Sequence, residues 1–309
     1  MSPPISVALV TFNSEQHIED LLNSLQTVTT NDVSEVVIVD NGSTDRTLEI
    51  LASRGGVRVI QQENQGFAHG INRAIDTICS DDHVLVVNPD VRFLPGCIDK
   101  LRFQLDTTPT AAVVVPSLLD SSGEPRPSLR HFPSIWRTAV EALVGGSRSR
   151  LLSEAWYPDS ATEPLTVDWA TGAVMLLDRR AFEAVGRFDE TFFLYSEETD
   201  YCQRIAAAGL RTIFEPSAMA IHKGGDLHER AELWALRAVN RVRRYRKTSN
   251  VASSLVFWAA SILFEFRRAI TGNRQSRAAL RSLLKPDLER EAESIVTQLG
   301  GQLTRNQQR

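Results

Sequence analysis

The feature of this sequence that most constrains its fold is an alternation of short apolar runs with helical patterns over the first 90 residues. Repeated strand, helix and strand segments are typical of a parallel sheet that is covered by helices on both faces. We therefore expect an α/β fold. The apolar runs are 5–12, 36–40, 57–61 and 84–88, and the helical patterns are 15–25, 45–52 and 66–78.

Polar side chains follow three of the predicted strands. Thr11 and Asn13 lie at the end of the first run, the segment 40–45 at the end of the second, and the segment 88–90 at the end of the fourth. Parallel sheets bind their ligands at the carboxyl ends of the strands. The sequence therefore predicts a binding site at this edge of the sheet.

Asp40 ends the apolar run VVIVD, and the turn that follows it opens a helix near Asp45. An aspartate in this place can accept the ring N–H of a uracil or thymine, in a charge-assisted hydrogen bond of about 1.5–3 kcal/mol. Alternatively, Asp40 and Ser43 only cap the turn and the helix. The residues alone leave both interpretations open.

Asn88 and Asp90 flank a proline after the apolar run VLVV. Carboxylate and amide oxygens suit Mg²⁺ or Mn²⁺, either of which would neutralise a diphosphate leaving group. A simple strand-ending turn is the alternative. His222 follows an apolar segment and precedes a glycine pair, so it is a second candidate metal ligand, although a single histidine is more often structural.

Three acids, Glu197, Glu198 and Asp200, cluster at the predicted start of a helix after an aromatic run. Acids at a helix N-terminus are favoured by its dipole, so capping alone can account for them. Crowded carboxylates also raise one another's pKa, which is how a side chain becomes a useful general base. We therefore take these acids as candidate catalytic residues.

The second half of the chain is less regular until residue 167. The segment 117–165 is rich in turn-forming residues and predicts a mobile loop around a short helix. The patterns that follow predict strands at 167–177 and 211–215 and helices at 179–185, 197–208, 227–245 and 251–270.

Charge divides the chain near residue 227. Residues 1–227 hold 18 Lys and Arg against 31 Asp and Glu, whereas residues 228–309 hold 16 against 7. We expect a first domain over 1–227 and a basic helical tail over 228–309, which would meet an anionic partner such as nucleic acid or an acidic membrane surface. A solvated helix face is the alternative.

Arg237, Arg241 and Arg244 are spaced to share one face of a tail helix, and an apolar helix follows them. A cationic helix beside an apolar one is typical of a peripheral membrane anchor. Packing of the apolar helix on the first domain is the alternative, and homodimerisation through the tail helices stays open.

Cys79, Cys97 and Cys202 are widely spaced and form no CxxC pair, so they indicate neither a disulfide framework nor a zinc site. The N-terminal segment lacks the pattern of a secretion signal, and no apolar run is long enough to span a membrane. We expect a cytoplasmic protein, peripheral on the inner face of the cell membrane if the tail is an anchor.

Six segments in this order and spacing resemble the family 2 glycosyltransferases, and within them the bacterial rhamnosyltransferase-like branch. They cover roughly residues 5–225. The segments are SVALVTFNSEQHIEDLLNSL, VVIVDNGSTDRT, ENQGFAHGINRAI, VLVVNPDVRF, WATGAVMLLDRRAFEAVGRFDETFFLYSEETDYCQRI and AIHKGG.

The resemblance implies a GT-A fold, with a Rossmann-like, mostly parallel sheet flanked by helices and a C-terminal helical extension. Asp90 matches the acid of the family's DxD motif that binds Mg²⁺ or Mn²⁺, here with Asn88 in the first position, and His222 matches a histidine that completes the metal shell. The positions that match donor-binding residues are Thr11, Asn13, Asp40, Ser43, Gly66, Asn72, Asn88, Trp169, Thr171 and Gly172.

Glu198 matches the family's catalytic base, where aspartate is usual, with Glu197 and Asp200 as substitutes. The implied reaction moves a sugar, rhamnose from dTDP-rhamnose, with inversion to a glycan or polyprenyl-diphosphate-linked acceptor in cell-envelope polysaccharide synthesis. No nucleic-acid partner is expected. The alternatives are a nucleotidyltransferase, for which a glycine-rich phosphate loop is missing, and an inert transferase domain whose tail binds nucleic acid or membrane.

Overall fold

The computed structural model describes residues 3–28, 33–78, 81–144, 153–156, 161–224 and 230–306, with side chains up to residue 300. Cys79, residues 145–150 and the expected boundary at 227 lie outside these ranges. The strands are β1 (Ile5–Thr11), β2 (Val33–Asp40), β3 (Val57–Gln61), β4 (His83–Val87), β5 (Val91–Phe93), β6 (Ala111–Leu119), β7 (Leu129–Arg130), β8 (Ala155–Trp156), β9 (Leu165–Val167), β10 (Trp169–Ala170), β11 (Val174–Leu177) and β12 (Arg211–His222).

The helices alternate with these strands at first and then follow one another. They are α1 (Ile18–Val28), α2 (Thr47–Ala52), α3 (Phe67–Thr77), α4 (Cys97–Thr107), α5 (Ile135–Val144), α6 (Arg179–Val185), α7 (Glu197–Ala207), α8 (Ala231–Thr248), α9 (Val251–Ile270), α10 (Arg274–Leu283) and α11 (Leu288–Asn306). The predicted order of elements over the first 90 residues is confirmed.

Contacts divide the chain into two compact units. Unit 1 comprises Met1–Arg130, Pro158–Thr191 and Glu197–Gly224, and unit 2 comprises His131–Tyr157, Phe192–Ser196 and Gly225–Arg309. The basic tail is thus grouped with two segments from the first 227 residues.

Unit 1 is built on a nine-stranded sheet in the order β3-β2-β1-β4-β11-β6-β12-β5, with β9 paired to β12. The strands β3, β2, β1 and β4 are mutually parallel, in a register that pairs Thr11 with Asp40 and Leu9 with Val87. All seven residues of β1 are buried. Because these strands end together, their polar termini lie at one edge, as predicted.

One predicted strand is wrong. The apolar pattern at 167–177 is divided among β9, β10 and β11, which pair with different partners. Trp169 and Ala170 leave the main sheet to pair with β7, and Thr171 N–H donates to the carbonyl of Ser128 at 2.9 Å. The strand β11 then enters the main sheet antiparallel to β4 and β6, so the sheet is mixed. By contrast, β12 is longer than predicted and reaches His222.

Unit 2 consists mainly of α5 and α8 to α11. Its core packs Leu236 and Val239 of α8 against α9 and α11, and the rings of Tyr245 and Phe257 stack with centroids 3.9 Å apart. Within the described ranges, no helix is both long enough and apolar enough to cross a membrane.

The three arginines that the sequence places on one face of α8 have partners within unit 2. Arg244 is only 1% exposed, the guanidinium of Arg241 donates to Glu154 and Thr138, and Arg237 lies over the ring of Trp234. Such spacing places the arginines on one face, but that face packs inside unit 2. These contacts favour a role of the three arginines in packing, and a membrane contact through this face stays a prediction that their partners do not support.

The Arg241 and Glu154 pair gives the first prediction. Arg241→Met is expected to lower the free energy of unfolding by about 3 kcal/mol, because it leaves the Glu154 carboxylate mostly buried and without its cation. The measurement is urea denaturation followed by circular dichroism. The double variant Arg241→Met with Glu154→Leu should recover most of the loss, and a double variant as unstable as the single one would contradict this role for the pair.

Candidate active site

Asp40 organises the turn after β2. Its Oδ1 accepts hydrogen bonds from the hydroxyls of Thr11 (2.8 Å) and Ser43 (2.5 Å), and its Oδ2 accepts from the backbone N–H groups of Gly42 (3.1 Å) and Ser43 (2.8 Å). A carboxylate offers about four acceptor sites. The capping alternative therefore describes this geometry, and a nucleobase would have to displace one of these donors, so direct base binding by Asp40 stays a prediction.

Asn13 is hydrogen-bonded to the same turn. Its backbone N–H donates to Ser43 Oγ at 2.9 Å, its Oδ1 accepts from Thr44 N–H at 2.8 Å, and its φ is +50°. Asn41 connects the turn to the start of α3, because its Nδ2 donates to the carbonyl of Gly66 at 3.1 Å. The structure thus brings Thr11, Asn13, Asp40, Ser43 and Gly66 together.

Asn72, on the buried face of α3, is engaged elsewhere. Its Nδ2 donates to the carbonyl of Phe188 (2.9 Å) and to the carboxylate of Glu190 (2.7 Å), and its Oδ1 accepts from Phe188 N–H. This amide ties α3 to the segment after α6. A contact between Asn72 and the nucleotide stays a prediction that these bonds do not support.

Asp90 and His222 meet at the end of the sheet. Asp90 Oδ2 lies 3.2 Å from His222 Nε2 and accepts Gly224 N–H at 3.0 Å. Burial of Asp90 acts to raise the pKa of its carboxyl, but the hydrogen bond and charge of His222 outweigh it and hold the pKa below its usual value. Two predicted metal ligands that are 132 positions apart in sequence are therefore adjacent, and the carboxylate stays ionised.

This donor pair fits a divalent cation that is shared with a phosphate ligand. No group of three or more His, Cys, Asp or Glu side chains suited to a metal occurs in the part of the chain that the structure describes. Mg²⁺ and Mn²⁺ are often held by one or two protein ligands, with the remaining positions filled by water and substrate phosphates. Asn88 lies two residues before Asp90 at the same strand end.

Gly224 gives the second prediction. It adopts φ +73°, a backbone conformation that is strained for any residue with a Cβ, and its N–H binds Asp90. A Cβ on it would also clash with the flexible end of the Arg126 side chain, which can move aside. Gly224→Ala is therefore expected to displace this backbone and weaken Mn²⁺ binding by about 10- to 100-fold, the range seen when a group that supports a metal ligand is altered. The measurement is Mn²⁺ binding followed by electron paramagnetic resonance. Gly186→Ala, also at a positive φ, is the control, and an unchanged Mn²⁺ affinity in Gly224→Ala would refute the prediction.

The first turn of α7 carries the predicted catalytic acids. Glu197 is buried, whereas Glu198 is half-buried, and a Cβ on Gly172 would lie 3.7 Å from Glu198 Cβ. The residue after Gly172, Ala173, accepts Asn88 N–H at 2.9 Å. Glu198 thus lies beside the strand end that carries Asn88 and Asp90, with Gly172 leaving space next to it.

Asp200 has a structural role. Its Oδ2 accepts Arg204 Nε at 2.8 Å, and Arg204 also donates to the carbonyls of Val185 and Arg187. This ion pair keeps the Asp200 carboxylate directed towards Arg204. Its use as a substitute base stays a prediction, and the geometry favours Glu198.

Glu197 gives the third prediction. Burial, and then the charge of Glu198, raise the pKa of Glu197 well above its usual value. The folded state therefore holds this proton more tightly than the unfolded state, so its contribution to stability is present below pH about 4.3 and is lost as pH rises. Glu197→Gln, which removes the titration, should gain melting temperature relative to the chain with Glu197 as pH increases from 4 to 8, and a pH-independent difference would contradict this.

The turn before α7 is strained. Tyr195 and Ser196 have φ values of +67° and +80°, a left-handed conformation that costs about 1–2 kcal/mol for each such residue. Within unit 2, Asn240 Nδ2 holds this turn by donating to the carbonyls of Leu194 (3.0 Å) and Tyr195 (3.4 Å). Strain of this kind clusters at functional sites, which agrees with the position of the turn directly before Glu197.

The sequence patterns did not identify three residues that lie near the Asp90 and His222 pair. The charge of His17 lies close enough to lower the pKa of Asp90, Arg126 extends to Gly224, and Gly224 binds Asp90 directly. Only Gly224 has a local signal, since it belongs to the glycine pair after His222. Trp169, Thr171 and Gly172 lie on or directly after β10, which contacts α7. Their contact with the donor sugar and the acceptor stays a prediction.

Known proteins are similar to this chain in sequence. The sequence profile described as "Glycosyl transferase family 2" matches residues 6–185. The N-acetylglucosaminyl-diphospho-decaprenol L-rhamnosyltransferase of Mycobacterium tuberculosis is 34% identical over 236 residues, which is 72% of this chain and 76% of that protein. Rhamnosyltransferase WbbL of Escherichia coli is 26% identical over 71% of this chain and 83% of its own.

Solved structures show the same fold at low sequence identity. The mannosyltransferase PcManGT from Pyrobaculum calidifontis, in complex with GDP-Man and Mn²⁺, matches with a TM-score of 0.57 and 17% identity over 96% of this chain and 87% of that chain. GalNAc-T7 with UDP, GalNAc and Mn²⁺ matches with a TM-score of 0.58 and 13% identity, over 89% of this chain and 58% of that chain. With its mixed central sheet and the matched profile, the chain belongs to glycosyltransferase family 2 and has a GT-A fold.

Proposed function

We propose that this glycosyltransferase moves rhamnose from dTDP-rhamnose to an N-acetylglucosamine unit carried on a polyprenyl diphosphate, with inversion at the anomeric carbon. The supporting observation is the convergence of Asp90, His222 and Glu198 at one sheet edge, beside the turn that contains Asp40. The transferred rhamnose is carried over from the names of the two rhamnosyltransferase relatives, and the lipid-linked N-acetylglucosamine acceptor from the name of the first. The dTDP carrier is what the family resemblance of the sequence implies. Membership of family 2 favours this hypothesis over a nucleotidyltransferase.

Each group in the site has one task in this proposal. The turn that Asp40 holds between Thr11 and Ser43 binds the nucleotide, and Asp90 with His222 would hold Mg²⁺ or Mn²⁺. Such an ion, when bound, neutralises negative charge on the diphosphate leaving group. The lowered pKa of Asp90 keeps that ligand anionic at neutral pH.

Glu198 accepts the proton of the acceptor hydroxyl as that oxygen attacks the anomeric carbon. The C–O bond to the diphosphate breaks on the opposite face of the sugar, so a single displacement inverts the configuration and needs no covalent intermediate. Glu198 suits this task better than its neighbours, because it is half-buried, whereas Glu197 is buried and Asp200 is paired with Arg204.

A donor panel tests the proposal. The purified chain is incubated with Mn²⁺, a synthetic N-acetylglucosaminyl-diphospho-polyprenol and, separately, dTDP-rhamnose, UDP-glucose, UDP-N-acetylglucosamine or GDP-mannose. We expect the highest kcat/KM with dTDP-rhamnose, and a product whose anomeric configuration, read by NMR, is opposite to that of the donor. Preference for another donor would overturn the rhamnose assignment, and retention of configuration would overturn the single displacement.

A further inference from the structure

The outer face of α9 is apolar and exposed. Its large side chains recur at the spacing of one helix face along the 20 residues of the helix, and Val251 at one end is 77% exposed while Ile270 at the other is 67% exposed. A contiguous patch of exposed apolar side chains marks a binding surface more often than single, scattered exposed residues do. The exposed members on α9 are Val251, Leu255, Val256, Leu263, Phe266 and Ile270.

Two hydrogen bonds extend this patch to neighbouring helices of unit 2. Arg267 donates to the carbonyl of Ala142 at 3.3 Å, which brings the end of α5 beside the second half of α9. Trp258 Nε1 donates to the carbonyl of Leu283 at 2.8 Å, which brings the end of α10 beside the first half. The exposed apolar residues that these contacts add are Leu143, Val144 and Leu284.

The same region is strongly cationic. Residues 267–286 contain six Lys and Arg and no Asp or Glu. On α10, Arg274, Arg277 and Arg281 are exposed and spaced three and four residues apart, so they share one face. Arg268 Nε donates to Ser276 Oγ at 3.1 Å, which joins this basic helix to the end of the apolar one.

We propose that this apolar patch on α9, with the basic face of α10, binds the surface of a membrane that contains anionic lipids. Amphipathic surfaces of this kind insert apolar side chains among lipid headgroups while their cations meet lipid phosphates. A second copy of the chain fits less well, because a symmetric contact through this face would bring the two acid-free cationic segments together. The proposal stands independently of the donor and acceptor assigned above.

Vesicle sedimentation tests the proposal on the full chain. We expect binding to vesicles of phosphatidylcholine mixed with phosphatidylglycerol, weaker binding to phosphatidylcholine alone, and loss of the difference at high salt. The triple variant Leu255→Gln, Leu263→Gln and Phe266→Gln should bind both vesicles about 100-fold less tightly, because three apolar side chains no longer insert. The triple variant Arg274→Gln, Arg277→Gln and Arg281→Gln should bind the anionic vesicles about 100-fold less tightly and the phosphatidylcholine vesicles as before.

A matched control lies in unit 1, where Phe103 and Arg211 are exposed. The variant Phe103→Gln with Arg211→Gln should bind vesicles like the unaltered chain. Circular dichroism and donor binding should be the same in all variants, which separates a lost membrane contact from a misfolded or inactive protein. Absence of binding to anionic vesicles would overturn the proposal, as would a dimer in light scattering that the α9 variant converts to a monomer.

Discussion

Glu198→Gln is expected to lower kcat for sugar transfer by roughly 10³-fold, within the range that removal of a general base produces. The amide cannot accept the proton of the acceptor hydroxyl, yet it keeps the shape of the side chain next to Gly172. Donor binding should be unchanged, because Glu198 acts on the acceptor. The measurements are kcat with the lipid-linked acceptor and the melting shift produced by the donor.

The two neighbouring acids serve as comparisons. Glu197→Gln should retain most of kcat, because this side chain is buried and does not face an acceptor hydroxyl from solvent. Asp200→Asn should lower the melting temperature, because Arg204 loses its ion-pair partner. If Glu198→Gln remains active while a stable Glu197→Gln variant does not, the base is Glu197.

Asp90→Asn is expected to lower metal-dependent turnover by about 10³-fold, equivalent to several kcal/mol of lost charge stabilisation. Asparagine cannot supply the anionic oxygen that lies 3.2 Å from His222 Nε2. Mn²⁺ binding, followed by electron paramagnetic resonance in the presence of donor nucleotide, should weaken in parallel with turnover.

Asp99→Asn is a matched control, because Asp99 is an exposed carboxylate in the first turn of α4. It should leave both turnover and Mn²⁺ binding unchanged. An Asp90→Asn variant that binds Mn²⁺ normally and turns over at the usual rate would remove Asp90 from the metal site.

The first four strands of the sheet could be predicted because their signal is local. β1 and the helix α1 show it directly: every residue of the strand is buried, and Ile18, Leu21, Leu22 and Leu25 follow the helical period. The direction of β11 could not be predicted. Whether a strand runs parallel or antiparallel depends on where the chain returns to the sheet, and the apolar pattern from 167 to 177 carries no information on that path.

The helical tail shows a second limit of prediction from the sequence. The helical spacing correctly predicted that Arg237, Arg241 and Arg244 share one face of α8. It did not predict whether that face is exposed or packed inside unit 2. Arg241 finds its partner Glu154 87 positions away, which no local pattern reveals. The cations that do remain exposed, such as those of α10, are further along the chain.

The candidate site was predicted mainly by family resemblance. Residue types alone left Asp90 and His222 as separate weak candidates, and only the structure shows them adjacent. Arg126 was missed because a single arginine in a proline-containing loop is typical of solvent-exposed positions. Its approach to Gly224 depends on the loop after β6 returning to the end of β12.

The pairing of β12 with β5 has a consequence for metal exchange. His222 is in register with Val91, the residue that follows Asp90, so backbone hydrogen bonds fix the distance between the two ligands. A site built on adjacent strands is rigid before the ion arrives, and little conformational entropy is lost on binding. An ion held by this pair would therefore bind and leave without rearrangement of the two strands, at a site that the nucleoside diphosphate product must vacate after every turnover.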